Sequence, residues 1–238
     1  MSQLNNMRNF LCIGHRGAKG IEPENTLRSI RKALELGVHG IEVDVYFAGG
    51  QLVVIHDETL ERTTNGHGKV EEQTYDYLRS LDAGKGEKIP TLREVFDTVD
   101  QRAFVNVELK GAHTAEPVFE LIGEYLGRKG WGRDEFLVSS FDHRELGLLK
   151  EKGIRLGPLF SERADYLEVA RLLGAYSINI ASRLADPSTV AGAHAAGLKT
   201  FVYTVNSPAE IEKMRAMGVD GIFTDFPDRV LEPQPAHR

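Results

Sequence analysis

The 238-residue chain has one cysteine, Cys12. With no second thiol, an intrachain disulfide and a multi-cysteine zinc site are both excluded, and a reducing, cytoplasmic setting is expected. Long apolar runs are missing too. No stretch of about 18 apolar residues is available to span a bilayer, and the opening MSQLNNMRNF lacks the apolar centre of a secretory leader. A soluble protein without stable membrane insertion is expected. Positive charge is in short supply, with 29 Lys+Arg against 35 Asp+Glu and a net charge of -6. A nucleic-acid partner needs a basic face that displaces counterions, so none is expected.

What the chain does have is a repeating junction. Helical patterns end in glycine and run straight into an apolar strand at Gly37, Gly153, Gly174, Gly197 and Gly218, the last four spaced 21, 23 and 21 residues apart. Glycine closes a helix by accepting the left-handed conformation, and this spacing fits one strand, one helix and two short loops. Eight strands are predicted, at 10–14, 40–47, 103–109, 136–140, 154–160, 176–180, 199–205 and 221–224. Their alternation with helices over this length predicts a (β/α)8 TIM barrel filling a single domain, residues 1–238. The competing fold, an open doubly wound sheet, usually carries G-x-G-x-x-G after its first strand, whereas G-H-R-G stands at 14–17. Residues 51–57, QLVVIHD, suggest a short extra strand. Residues 57–88 then read as a small insertion between the second and third barrel strands, a candidate lid at the active-site end.

Strand parity gathers carboxylates. In GIEVDVYF, Glu42, Asp44 and Tyr46 share one face, and in FVNVELKG, Asn106, Glu108 and Lys110 do. If the apolar residues between them face the helices, then Glu42, Asp44 and Glu108 point into the barrel, where uncompensated charge is costly. A divalent cation answers that cost. All-oxygen donors favour Mg²⁺ or Ca²⁺, with Mn²⁺ as a further option, over zinc. The plainer alternative is a metal-free network in which Arg16 or Lys110 neutralises these groups.

His15 and His56 fall at strand ends near the same cluster, where a pair of imidazoles can act as general acid and general base. The other histidines, His39, His67, His113, His143, His194 and His237, read as structural. Arg16 presents a fork of donors suited to phosphate or carboxylate. In IEPENTLRS, Asn25 or Thr26 caps the following helix, and Glu24 and Asn25 sit beside His15. Asp225 and Asp228, in the loop after the last strand, would repel an anion, which places a phosphate nearer Arg16, Lys110 and the cation.

The ordered set H-R-G (15–17), P-E-N-T (23–26), G-x-E-x-D-V (40–45), H-D (56–57), RTTNGHG (62–68), VELK (107–110), SSF (139–141) and DGIFTDFP (220–227) resembles the glycerophosphodiester phosphodiesterase family along almost the whole chain. The resemblance implies a barrel enzyme that hydrolyses glycerophosphodiesters to sn-glycerol 3-phosphate and an alcohol such as choline, ethanolamine or glycerol, using a divalent cation. It implies Glu42, Asp44 and Glu108 as metal ligands, His15 and His56 as the acid/base pair, Arg16 as a phosphate contact and Lys110 as the lysine of E-x-K. One position departs: Tyr203 of YTVN stands where many members have tryptophan, which keeps an aromatic wall but changes the group facing the substrate. Two other readings compete, a lysophospholipase D-like activity on lysophospholipids and a noncatalytic barrel that binds phosphate esters. The oligomeric state is open, a homodimer being one option.

Overall fold

The computed structural model describes residues 10–128 and 130–231; His237 lies outside them. The strands are β1 (Leu11–His15), β2 (Gly40–Ala48), β3 (Gln51–Val54), β4 (Phe104–Leu109), β5 (Phe136–Ser140), β6 (Arg155–Phe160), β7 (Ser177–Ala181), β8 (Lys199–Tyr203) and β9 (Gly221–Thr224). Eight of them run parallel, and β1 pairs with both β2 and β9, which closes the sheet into a barrel. That closure rules out the open doubly wound sheet. The ninth, β3, is the extra strand expected from QLVVIHD and pairs antiparallel with β2 on the outside of the ring. Strand β8 stops at Tyr203, two residues short of the expectation, because Val205 N leaves the β7 ladder and donates to Phe223 O.

The helices are α1 (Leu27–Leu36), α2 (Tyr75–Ser80), α3 (Leu92–Val99), α4 (Ala115–Arg128), α5 (His143–Gly147), α6 (Tyr166–Leu173), α7 (Pro187–Ala195) and α8 (Pro208–Met217). Gly37, Gly174 and Gly218 close α1, α6 and α8 with positive φ, as the repeat predicts. After β9 the described residues make a 3-10 turn, Pro227–Arg229. The main apolar core lies between the ring and its helices, with Ile30, Ala33, Val43, Val107, Ile122 and Ile222 among its fully buried members. No helix of the described residues is long and apolar enough to cross a membrane.

Inside the barrel, Ile13, Leu137, Phe201 and Phe223 form a separate buried cluster. Burying side chains of this size contributes roughly 1.5–3 kcal/mol each, and here it seals the floor below the polar residues. Residues 57–88 contain a 3-10 turn at Val70–Glu72 and α2. Leu60, Val70, Leu78 and Leu81 of this segment pack on Tyr46, Val53 and Ile55, so it has its own small core against β2 and β3. Two ion pairs, Lys85 to Glu22 at 2.7 Å and Arg62 to Glu24 at 2.8 Å, tie it to the loop after β1.

Candidate active site

At the C-terminal end of the parallel strands a cavity of about 250 Å³ opens. One side is polar, lined by His15, Arg16, Glu42, His56, Asn106 and Glu108; the other carries Phe141, Leu159, Tyr203 and Phe223. The tight turn that delivers His15 and Arg16 explains G-H-R-G. A Cβ on Gly14 would meet Gly17 O at 2.5 Å, and one on Gly17 would meet Ser29 Oγ at 2.4 Å. Arg16 itself has φ +53, held there by bonds from Asn25 N and Ser29 Oγ to its carbonyl.

Glu42, Asp44 and Glu108 each place a carboxylate oxygen within 4.8 Å of the others. All three are buried. Burial, followed by the charges of Asp44 and Glu108, raises the pKa of Glu42 well above the ordinary carboxylate range. Burial and Asp44 push Glu108 up to about 7, against the lowering effect of Lys110. Part of the expected cation network is present: Arg16 Nε lies 3.2 Å from Asp44 Oδ2 and Lys110 Nζ donates to Glu108 Oε1 at 2.8 Å, while the main-chain amide of Arg16 donates to Glu42 Oε2 at 2.8 Å. It does not satisfy the cluster. Glu42 Oε1 and Asp44 Oδ1 are buried and accept no hydrogen bond among the described residues. Convergent, partly unpartnered carboxylate oxygens are a donor set that fits a hard divalent cation.

Each cavity histidine is gripped through Nδ1 by a carboxylate. His15 Nδ1 lies 2.6 Å from Asp225 Oδ1, and His56 Nδ1 lies 2.6 Å from Asp57 Oδ1. Burial lowers the pKa of both histidines despite these partners, while each Nδ1–H donates to its carboxylate. Nε2 is then the nitrogen of each ring left for proton transfer. His15 Nε2 points toward Glu42, 4.0 Å from Oε2, and His56 Nε2 meets Lys110 Nζ at 3.3 Å. Asp225 is itself braced: Asn206 Nδ2 donates to its Oδ2 at 2.8 Å and Asn206 Oδ1 accepts from its amide at 2.9 Å. Although burial works to raise it, the bond from His15 brings Asp225 down to about 2.

The residue model of the glycerophosphoryl diester phosphodiesterase family matches residues 15–229. The chain belongs to this family. A glycerophosphodiester phosphodiesterase of Caldanaerobacter subterraneus subsp. tengcongensis is 37% identical, over 93% of this chain and 96% of that protein. Another, from Bacillus altitudinis, is also 37% identical, over 92% and 96%. The fold is shared with a phosphodiesterase of Oleispira antarctica solved in complex with the product sn-glycerol-3-phosphate, at a TM-score of 0.85 and 32% identity over 92% of this chain and 94% of that one.

In this member of the family, the structure brings His15, Arg16, Glu42, Asp44, His56, Glu108, Lys110 and Tyr203 to one end of the barrel. Tyr203 lines the apolar side with its hydroxyl buried and without a hydrogen-bond partner among the described residues, and Lys110 bridges Glu108 and His56. Thr26 is the helix cap, accepting from Ser29 N at 3.2 Å, which frees Asn25 to donate to Asp44 Oδ2 at 2.9 Å. None of His39, His67, His113, His143 and His194 lines the cavity. Asp225 needs correction: its carboxylate turns to His15, so it is a partner of the site and not merely a repellent charge. Sequence reasoning passed over Asn206, Arg62 and Phe141 as well. The H-D dipeptide was a signal for Asp57, but nothing local announces a bond between His15 and a residue 210 positions away.

Proposed function

We propose that this cavity hydrolyses glycerophosphodiesters to sn-glycerol 3-phosphate and an alcohol, with His15 and His56 moving the protons. The carrying observation is the convergence, on one cavity, of the three carboxylates and two carboxylate-held imidazoles. Glu42, Asp44 and Glu108 would hold a divalent cation, Mg²⁺, Ca²⁺ or Mn²⁺, which when bound supplies positive charge for the phosphodiester oxygens. Arg16 and Lys110 add fixed positive charge beside it. Burial disfavours both cations, but the surrounding carboxylates outweigh that and raise their pKa values, so both stay charged while substrate is bound.

In the reaction a bond forms from phosphorus to the incoming oxygen and the bond from phosphorus to the alcohol oxygen breaks. One imidazole takes the proton from the nucleophile, either water or the glycerol 2-hydroxyl, at its free Nε2; the other enters as the imidazolium and delivers its Nε2 proton to the departing alcohol oxygen. Asp225 and Asp57 fix the tautomers that make this exchange available. Residues 57–88 contribute through Arg62, which donates to Asp57 Oδ1 at 2.8 Å.

The test is release of glycerol 3-phosphate from glycerophosphocholine and glycerophosphoethanolamine by the full chain, after chelation and after Mg²⁺ or Ca²⁺ is restored. Activity should vanish on chelation and return with the ion, and His15→Ala and His56→Ala should each lose about 10²–10⁴-fold with the fold intact by circular dichroism. Normal turnover in both variants would sink the acid/base assignment. The exposed ring of Phe141, 45% accessible at the cavity mouth, favours lysophospholipids as the second substrate to try, and lysophosphatidylcholine belongs in the same assay.

A further inference from the structure

Asn106 is a polar cavity group to which this reading gives no task. Asn106 is 1% exposed and lines the cavity. Its amide nitrogen donates to Ser139 Oγ at 2.9 Å, which fixes the plane of the side chain and commits one end of it. The other end, Asn106 Oδ1, has no hydrogen-bond partner among the described residues. Fully buried amide oxygens are almost always partnered, so an orphan that is held in place and borders a cavity points to a ligand.

Its neighbours indicate which kind. Glu42 on β2 stands in register with Asn106 on β4, and Glu108 is two residues farther along the same strand and face. The nearby cations are already engaged, Lys110 with Glu108 at 2.8 Å and Arg16 with Glu24 at 2.6 Å. A carbonyl oxygen on the same barrel face as these carboxylates offers the same negative partial charge, and a cation is a partner attractive to all of them. Hard divalent cations take six or more oxygens, and backbone or Asn/Gln carbonyls are ordinary members of that set.

Building on the metal reading above, we infer that Asn106 Oδ1 is a fourth protein oxygen of the cation site, a neutral donor added to Glu42, Asp44 and Glu108. Ser139 is then a positioning residue, since its hydroxyl keeps the amide from turning its NH₂ toward the ion.

Calorimetric titration of Mg²⁺ into chelator-treated full chain, without substrate, tests this directly. Asn106→Leu, nearly isosteric and without the oxygen, should weaken Mg²⁺ binding about 10- to 100-fold. Asn106→Asp, which keeps an oxygen at the same point, should bind at least as tightly as the unsubstituted chain. Unchanged affinity in Asn106→Leu, or equal losses in both variants, overturns the inference. Glu108→Gln is the control for the underlying reading: if it loses Mg²⁺ while Asn106→Leu does not, only the role of Asn106 fails, and if Glu108→Gln also binds normally, the cation site itself is misplaced. Thermal melts of both Asn106 variants separate lost binding from lost folding.

Discussion

His15 Nδ1 and Asp225 Oδ1 lie 2.6 Å apart, a contact that joins the end of β1 to the residue after β9 across the seam where the barrel closes. Closure therefore does more than complete the ring. It selects the histidine tautomer in the cavity, since a carboxylate at Nδ1 leaves Nε2 as the working nitrogen.

Asp225→Asn is expected to lower kcat by a smaller factor than His15→Ala while leaving KM for glycerophosphocholine nearly unchanged, because the amide can present its NH₂ to Nδ1 and so stabilise the other tautomer. Asn206→Ala, which removes the bonds to Asp225 Oδ2 and to its amide, should show the same pattern in weaker form. A rise in KM at constant kcat would instead make Asp225 a binding residue. Steady-state kinetics of the two variants decides this.

The contrast between strands and site explains what the sequence makes legible. Every barrel strand lies within two residues of its expected bounds because apolar periodicity and helix-closing glycines are local signals. The three carboxylates are legible for the same reason, since parity along β2 and β4 puts Glu42, Asp44 and Glu108 on the inner face. The partners of the histidines differ. Asp57 is adjacent to His56, whereas Asp225 and Asn206 reach His15 only through closure. Asn25 and Thr26 show a third case: both are good caps, and the choice between them depends on Asp44 being within 2.9 Å of Asn25, a tertiary fact.

Away from the cavity, Asp220 ties β8 to β9. It accepts from Lys199 Nζ at 2.7 Å, Thr200 N at 2.9 Å and His194 Nε2 at 2.8 Å. Burial works to raise its pKa, but these bonds outweigh it and hold Asp220 below its ordinary 3.8. A depressed folded-state pKa stabilises above the unfolded value and loses that contribution as pH falls through the folded value. Asp220→Ala should therefore cost about 1–3 kcal/mol near neutrality, and the gap from the unsubstituted chain should shrink below pH 3.8. Urea melts at pH 7 and pH 3 measure both numbers; a gap independent of pH would assign the cost to packing.

Arg62 touches both Asp57, the partner of His56, and Glu24, a partner of Arg16. Its guanidinium meets both oxygens of Asp57 and both of Glu24, and Arg16 Nη1 donates to the same Glu24 at 2.6 Å. The side chain is 48% exposed, so its ion pairs contribute little to folding, about 0–1 kcal/mol for exposed pairs. Their effect is on orientation: without Arg62, among the described residues, Asp57 keeps His56 and Glu24 keeps Arg16 as side-chain partner. Arg62→Ala should thus reduce kcat/KM clearly while the melting temperature shifts by little. Arg62→Lys should restore only part of the loss, because a single ammonium cannot engage two carboxylates in the bidentate manner of a guanidinium. A variant that loses stability and activity in proportion would reduce Arg62 to a structural clamp for residues 57–88, and full rescue by lysine would show that charge alone, without the fork, is what the site requires.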